Sequence, residues 1–467
     1  MKKKGYKRVK IEENNTNSNN ENINPLLNLI LEKNIIKITL VFLCLIIIFS
    51  FIAFYLISHK KENIEINEVN TNINNEKIFK IKDLSEKSKI LTEKIENYEK
   101  TLRIITMEEI REFRRINDLN ISFDRTKYKR TDTPDISIII TMRNQAHCIY
   151  KAIRSVQNQS LKNIEMIIID DCSLDNSTEV VENLMKEDDR IILLKHDNVN
   201  KGVMITRNEG IRMAKGKYIS ILDADDTFLH KDILKYSLNV ANMADLDVVE
   251  FLAAFINKGN LEGYYHYHGN NPIIYQPELR EKFYEIKEDE KYRPIKCRTV
   301  WGKIVKNEVF QKALKNIPKK YLNDYILEFE DTMITVSLYQ VAQSYYGLKH
   351  AGYYYTFDEK RNRFPIKNNK KCQEKEGIIK GIDHIKFLQF LIDKLDDNNL
   401  KKQIIYHEVK AINNYTYSNF KRTITHHFSL AYSIFEYLLN GEDLNEQQKE
   451  KLRKIKDEIK ENEKNSK

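Results

Sequence analysis

The chain has 467 residues, 77 of them basic and 68 acidic, for a net charge of +9. That mild excess is spread over a highly charged sequence, which excludes the concentrated basic stripe of a nucleic-acid binder. Apolar residues make up 41%, enough for a real core. The five cysteines, Cys44, Cys148, Cys172, Cys297 and Cys372, contain no C-x-x-C pair, so zinc and thioredoxin-type centres have no support.

Residues 1–34 read as a polar, cytoplasmic tail that opens on the basic stretch MKKKGYKRVK. The chain then turns apolar, and a membrane-spanning helix is expected over 35–58. From Ile38 to Ser58 there is no charged residue across 21 positions, which as a helix spans about 30 Å, the hydrocarbon thickness of a bilayer. Lys2, Lys3, Lys4, Lys7, Arg8, Lys10, Lys33 and Lys37 precede this run, and only Lys60 and Lys61 follow closely. The positive-inside bias predicts a single-pass signal-anchor protein with its bulk across the membrane, lumenal in the Golgi or endoplasmic reticulum of a eukaryote. The acceptor motif Asn176-Ser177-Thr178 cuts against that, because a glycan there would obstruct the site described below.

Residues 59–133 read as a stem. Ile81, Leu84, Ser88, Leu91, Ile95, Tyr98, Leu102 and Ile105 recur at alternating steps of three and four, with only Ser88 polar. Such a seam fits a short coiled coil and a homodimer, or equally a lone amphipathic helix packed on the domain that follows. That domain is expected over 134–365. Strands are predicted at Ile136–Thr141, Ile164–Asp170, Ile191–Leu194 and Tyr218–Leu222, alternating with helical patterns around Ile149–Val156, Val180–Met185 and Val203–Ala214. This βαβ alternation predicts a mostly parallel, Rossmann-like sheet flanked by helices. Residues 366–467 read as a helical C-terminal region, with one stripe at Ile378, Ile382, Ile385 and Leu388 and another at Ile434, Phe435, Leu438 and Leu439.

Ligands of open parallel sheets bind beyond the carboxyl ends of the strands. Here those ends lead into Thr141 and Asn144, into Asp170-Asp171-Cys172-Ser173, and into Asp223-Ala224-Asp225-Asp226. No G-x-G-x-x-G turn or G-x-x-x-x-G-K-S/T loop is present, which argues against a dehydrogenase and a P-loop ATPase. Without such a cradle a diphosphate needs another counter-charge, and a divalent cation on one or two carboxylates supplies it. Asp-x-Asp at a strand end suits that task, although alone it is a weak signal.

The order of motifs makes it strong. ISIIITMRN, IDDCSLDNST and NKGVMITRNEGIRMAKGKYISILDADD resemble, in sequence order, the opening strand, the Asp-Asp-x-Ser motif and the Asp-x-Asp motif of family-two glycosyltransferases of GT-A fold. Trp301-Gly302-Lys303, Phe329-Glu330-Asp331 and Tyr353–Tyr355 resemble later signatures of a bacterial-capsule-like branch. The resemblance covers roughly residues 134–356. It implies an inverting transfer from a nucleotide-sugar donor to a glycan or other hydroxyl acceptor, with Mn²⁺ or Mg²⁺ as cofactor. Position by position it implies that Thr141 and Asp171 contact the nucleobase, with Asp171 accepting an imide hydrogen, which favours a UDP-sugar. Asp223 would lie against ribose or sugar, Asp225 would ligate the metal, and Asp331, or failing it Glu330, would act as general base. Trp301 and Lys303 are candidate sugar or acceptor contacts, with Trp301 equally readable as a core anchor. Met142, Arg143 and Gln145–His147 depart from the family pattern. The alternatives are another nucleotide-sugar enzyme, such as a pyrophosphorylase, and an inactive relative acting as a membrane-tethered binding module.

Overall fold

The computed structural model describes residues 85–104, 130–257, 260–265, 272–283, 298–326, 328–356 and 383–395, with isolated positions between 106 and 457. They belong to one compact unit, Ser85–Lys467. The tail, the expected membrane helix over 35–58 and the stem as far as residue 84 lie outside the described residues. Among the described residues no helix is long and apolar enough to cross a membrane.

The domain opens with strands β1 (Ile136–Met142), β2 (Ile164–Asp170), β3 (Ile191–Lys195) and β4 (Tyr218–Ile221), separated by the helices Ile149–Gln157, Ser177–Met185 and Val203–Met213. Each lies within a few residues of its sequence-based expectation, because long apolar runs bounded by polar turns leave little choice of element. Beyond them come β5 (Thr227–Phe228), β6 (Val248–Asn257), β7 (Asn260–Tyr265), β8 (Ile274–Tyr275), β9 (Lys303–Lys306) and β10 (Ser344–Thr356), with the helices Ile233–Ala244, Asn307–Asn316 and Glu330–Val341. The sheet order is β3-β2-β1-β4-β9-β6-β10-β5, with β7 on β6 and β8 on β10. β1 to β4 pair in parallel, whereas β9 runs antiparallel between β4 and β6.

Successive residues of β1 serve opposite faces. Ile136, Ile138 and Ile140 enter one core cluster with Met166 and Ile168, while Ile139 enters the other with Ile167 and Ile169. A strand buried on both faces has no polar register to keep, hence the unbroken isoleucines. Gly210 lets the Val203–Met213 helix lie close on this sheet, since a Cβ there would meet Ile139 Cγ2 at 2.6 Å and Ile169 Cδ1 at 2.8 Å.

The stem seam is occupied by the domain itself. Residues 85–99 are helical, Ile95 is fully buried, and Leu91 and Tyr98 pack against the same core cluster. Ser88, the polar interruption, donates its hydroxyl to Ile273 O at 2.9 Å, and Asn239 donates to Tyr98 Oη at 2.7 Å. Of the two readings of the seam, these contacts describe the helix packed on its own domain; Ile81, Leu84 and Ile105 lie outside the described residues. Of the first C-terminal stripe, Ile385 and Leu388 are buried in the larger core cluster with Phe387, Phe390 and Leu391 of the 383–394 helix, while Ile378 and Ile382 lie outside the described residues.

Candidate active site

β1, β2 and β4 run in parallel, so their carboxyl ends share one edge of the sheet. Thr141 sits there in β1, opposite Ile169. Asp171 follows β2, and its N–H donates to Met142 O at 2.9 Å. Its carboxylate accepts the N–H groups of Lys201 and Gly202, each at 2.8 Å, and faces His196 Nδ1 at 2.9 Å. Gly202 has φ +88°, a conformation that glycine adopts without steric cost. A carboxylate offers about four lone-pair sites, so roughly one remains for a ligand.

The loops after β1 and β2 are tied together at the same edge. Asn144, at φ 53°, accepts Leu174 N–H at 2.7 Å on Oδ1 and donates its own N–H to Ser173 Oγ at 3.0 Å. Gln145 N–H donates to Ser177 Oγ at 2.7 Å. The segment that departs most from the family pattern is therefore held by backbone bonds that tolerate other side chains.

After β4 the chain turns through Asp223, Asp225 and Asp226, whose carboxylates offer oxygens within 4.8 Å of one another. Asp226 is buried and anchors the turn: it accepts Tyr353 Oη–H at 2.8 Å and Thr356 N–H at 2.8 Å. Tyr353 Oη in turn accepts Asp223 N–H at 3.3 Å. Burial, then the charges of Asp226 and Asp223, push the Tyr353 phenol well above its ordinary value, so it stays a donor. A set of carboxylate oxygens is the donor chemistry of Mg²⁺ and Mn²⁺, and Asp225 and Asp223 are the members that could hold such an ion at the sheet edge.

Arg207 joins this turn to the second pair of acids. From the Val203–Met213 helix, Nη2 donates to Asp223 Oδ1 at 2.8 Å, while Nη1 donates to Glu330 Oε1 at 3.0 Å and to Asp331 Oδ1. Burial alone would lower its pKa, but the charges of Asp331, Asp223 and Glu330 more than offset this and raise it. Glu330 and Asp331 open the helix Glu330–Val341, whose N-cap is Phe329 in the left-handed region at φ 68°. Asp331 keeps a side chain 23% exposed, whereas that of Glu330 is 5% exposed.

Two candidate contacts find other roles. Trp301 is 7% exposed and stacks on Tyr353 at 4.6 Å between ring centroids, with a bridge to Ile221 of β4, contacts that fit the core-anchor reading. Lys303, expected as a sugar or acceptor contact, is instead 1% exposed, and its Nζ pairs with Glu250 Oε1 at 3.0 Å. A buried ammonium needs a carboxylate partner, and β9 places Lys303 opposite Glu250 of β6. Sequence reasoning singled out neither His196 nor Arg207. Arg207 lay inside a quoted motif, but spacing alone does not show which acids meet it.

Residues 137–314 match the profile of Glycosyl transferase family 2. This stretch is a family 2 glycosyltransferase domain. It runs from β1 into the Asn307–Asn316 helix and so ends before Glu330 and Asp331. The GalNAc(5)-diNAcBac-PP-undecaprenol beta-1,3-glucosyltransferase of Campylobacter jejuni is 33% identical over 150 residues, 32% of this chain and 42% of that protein. The UDP-Glc:alpha-D-GlcNAc-diphosphoundecaprenol beta-1,3-glucosyltransferase WfaP of Escherichia coli is 42% identical over 91 residues, 20% of this chain and 35% of that protein. The chain thus spans well under half the length of these two relatives. The crystal structure of S. aureus TarS 1–349 with UDP-GlcNAc aligns with TM-score 0.50 and 16% identity, covering 70% of this chain and 88% of that one. At that identity the likeness is one of fold, and it agrees with the mixed sheet found here.

Proposed function

We propose that the chain is a membrane-anchored, inverting glycosyltransferase that moves a sugar from a UDP-sugar to a hydroxyl of a glycan or glycoconjugate. The observation that carries this reading is the guanidinium of Arg207, which brings the acidic turn at Asp223 and the acids Glu330 and Asp331 to one place. Asp171 accepts the imide hydrogen of the nucleobase, and Thr141 borders the same pocket. The acceptor oxygen attacks the anomeric carbon as the bond from that carbon to the diphosphate oxygen breaks, and Asp331 takes the acceptor's proton. Asp225, with Asp223 beside it, would hold Mn²⁺ or Mg²⁺, which would supply counter-charge to the diphosphate. Two relatives support a sugar–nucleotide chemistry: one name specifies UDP-Glc, and both specify acceptors carried on undecaprenol diphosphate. The uncharged run Ile38–Ser58 supplies the anchor, with the basic flank in the cytoplasm.

A donor screen of the full chain with UDP-Gal, UDP-Glc, UDP-GlcNAc and UDP-GalNAc tests the reading. Metal-stimulated UDP release from one of them is expected. Tight UDP binding without release from any donor, with or without metal, would replace the enzyme by a binding module.

A further inference from the structure

His196 is a buried histidine whose two ring nitrogens both meet carboxylates. Nδ1 lies 2.9 Å from Asp171 Oδ1, and Nε2 lies 2.6 Å from Glu209 Oε2. Glu209 is held in turn by Lys201 Nζ at 3.0 Å, and the Lys201 N–H donates to the same Asp171 oxygen that faces His196. The four residues form a closed ring of contacts behind the carboxylate assigned to the nucleobase. Sequence places them apart: Asp171 after β2, His196 after β3, Lys201 in the following loop, and Glu209 on the Val203–Met213 helix. Whichever ring nitrogen carries the hydrogen faces a carboxylate that can accept it.

We propose that His196, oriented by Glu209, is a positioning residue that fixes the Asp171 carboxylate for nucleobase recognition. The inference rests on the reading that Asp171 meets the base. The N–H groups of Lys201 and Gly202 and the facing His196 Nδ1 occupy the carboxylate on its protein side. They direct its remaining acceptor capacity to the pocket edge, where a base with a ring imide N–H fits. The donor's grip is thereby tied to the helix that also carries Arg207. Nucleobase binding at one end of that helix and the acids Asp223, Glu330 and Asp331 at Arg207 share one rigid support.

The test measures equilibrium binding of UDP to the full chain in the presence of Mg²⁺, together with KM and kcat for the active donor. In His196→Asn the side-chain amide nitrogen falls near the Nδ1 position, whereas in His196→Gln it falls near Nε2. His196→Gln is expected to raise the Kd for UDP about tenfold, the scale of one charge-assisted hydrogen bond. His196→Asn is expected to raise it distinctly less. Glu209→Ala, at a side chain 28% exposed, is expected to raise it about threefold with thermal stability checked alongside. In all three, KM for the donor should change more than kcat. Equal losses in the Asn and Gln variants, parental affinity in Glu209→Ala, or losses confined to kcat would overturn the proposal. Asp171→Asn separates the two levels. If it binds UDP like the parent, the nucleobase reading itself fails. If it weakens binding while the His196 and Glu209 variants do not, the positioning role alone fails.

Discussion

In the proposed mechanism Asp331 and Asp225 would act in opposite ways. Asp331 is the second residue of its helix rather than the cap, and its carboxylate accepts from Arg207. The competing structural role is therefore charge balance for a buried guanidinium. Asp331→Asn keeps a hydrogen-bond acceptor toward Arg207 but cannot take a proton from the acceptor. Turnover is expected to fall about 10²–10⁴-fold with UDP affinity near parental. Near-parental turnover would remove the base role and leave Glu330 as the next candidate, although Glu330 is the more buried of the two. Asp225 sits in a turn anchored by its neighbour Asp226. Asp225→Asn keeps the side chain's shape and should lose metal-stimulated transfer with thermal stability near parental, since the leaving diphosphate loses its counter-charge. A metal titration in which the variant responds like the parent would show that another residue holds the ion.

Two helices outside the matched family stretch contact the segments that carry site residues. The 85–99 helix ends on Glu99, which is buried and accepts Tyr346 Oη–H at 2.6 Å and Lys349 N–H at 2.7 Å, with His350 Nδ1 at 3.5 Å. Burial alone would raise the Glu99 pKa, but the bonds from His350, Tyr346 and Lys349 hold it below the ordinary glutamate value. A carboxylate with a depressed folded-state pKa contributes stability that is whole above its unfolded value and is lost as pH falls through the folded one. Thermal stability of the parent should therefore fall from about pH 5 downward. Glu99→Gln should flatten that part of the slope, and an unchanged slope would show that Glu99 does not titrate with unfolding. All three partners of Glu99 lie on β10, whose far end reaches Asp226 through Tyr353 and Thr356. Phe387 of the 383–394 helix stacks on Phe329 at 5.1 Å, and Asp383 Oδ2 accepts Glu328 N–H at 3.2 Å. Phe329 is the left-handed residue that turns the chain into Glu330 and Asp331. Phe387→Leu should cost about 1–2 kcal/mol of stability. It should also lower kcat while leaving UDP binding intact, because it loosens the acceptor side only. Equal damage to UDP affinity would contradict that division.

At the scale of the whole molecule, the proposed topology places the cytoplasmic tail and the catalytic domain on opposite sides of a membrane. Protease added to sealed membranes should leave the C-terminal domain intact until detergent is added, and digestion without detergent would reverse the orientation. The parallel half of the sheet and its acidic edge were legible because local patterning decides them. Isoleucine runs such as Ile138–Ile140 can only be buried strands, and Asp171, Asp223 and Asp225 must follow those strands at their carboxyl ends. The second half was not legible, because β9 inserts between β4 and β6 only through pairing distant in sequence. That insertion turned Lys303 from an expected ligand contact into the buried partner of Glu250. The stem seam likewise carried an apolar stripe with no record of what would cover it, and only docking of Ser88 and Thr92 at Ile273 assigned it to the domain. The sequence by itself determined the strands, the acids and the family. Tertiary structure alone decided that Arg207 gathers Asp223, Glu330 and Asp331 and that His196 lies between Asp171 and Glu209. A buried charge is placed by partners far along the chain, and no local pattern records where they are.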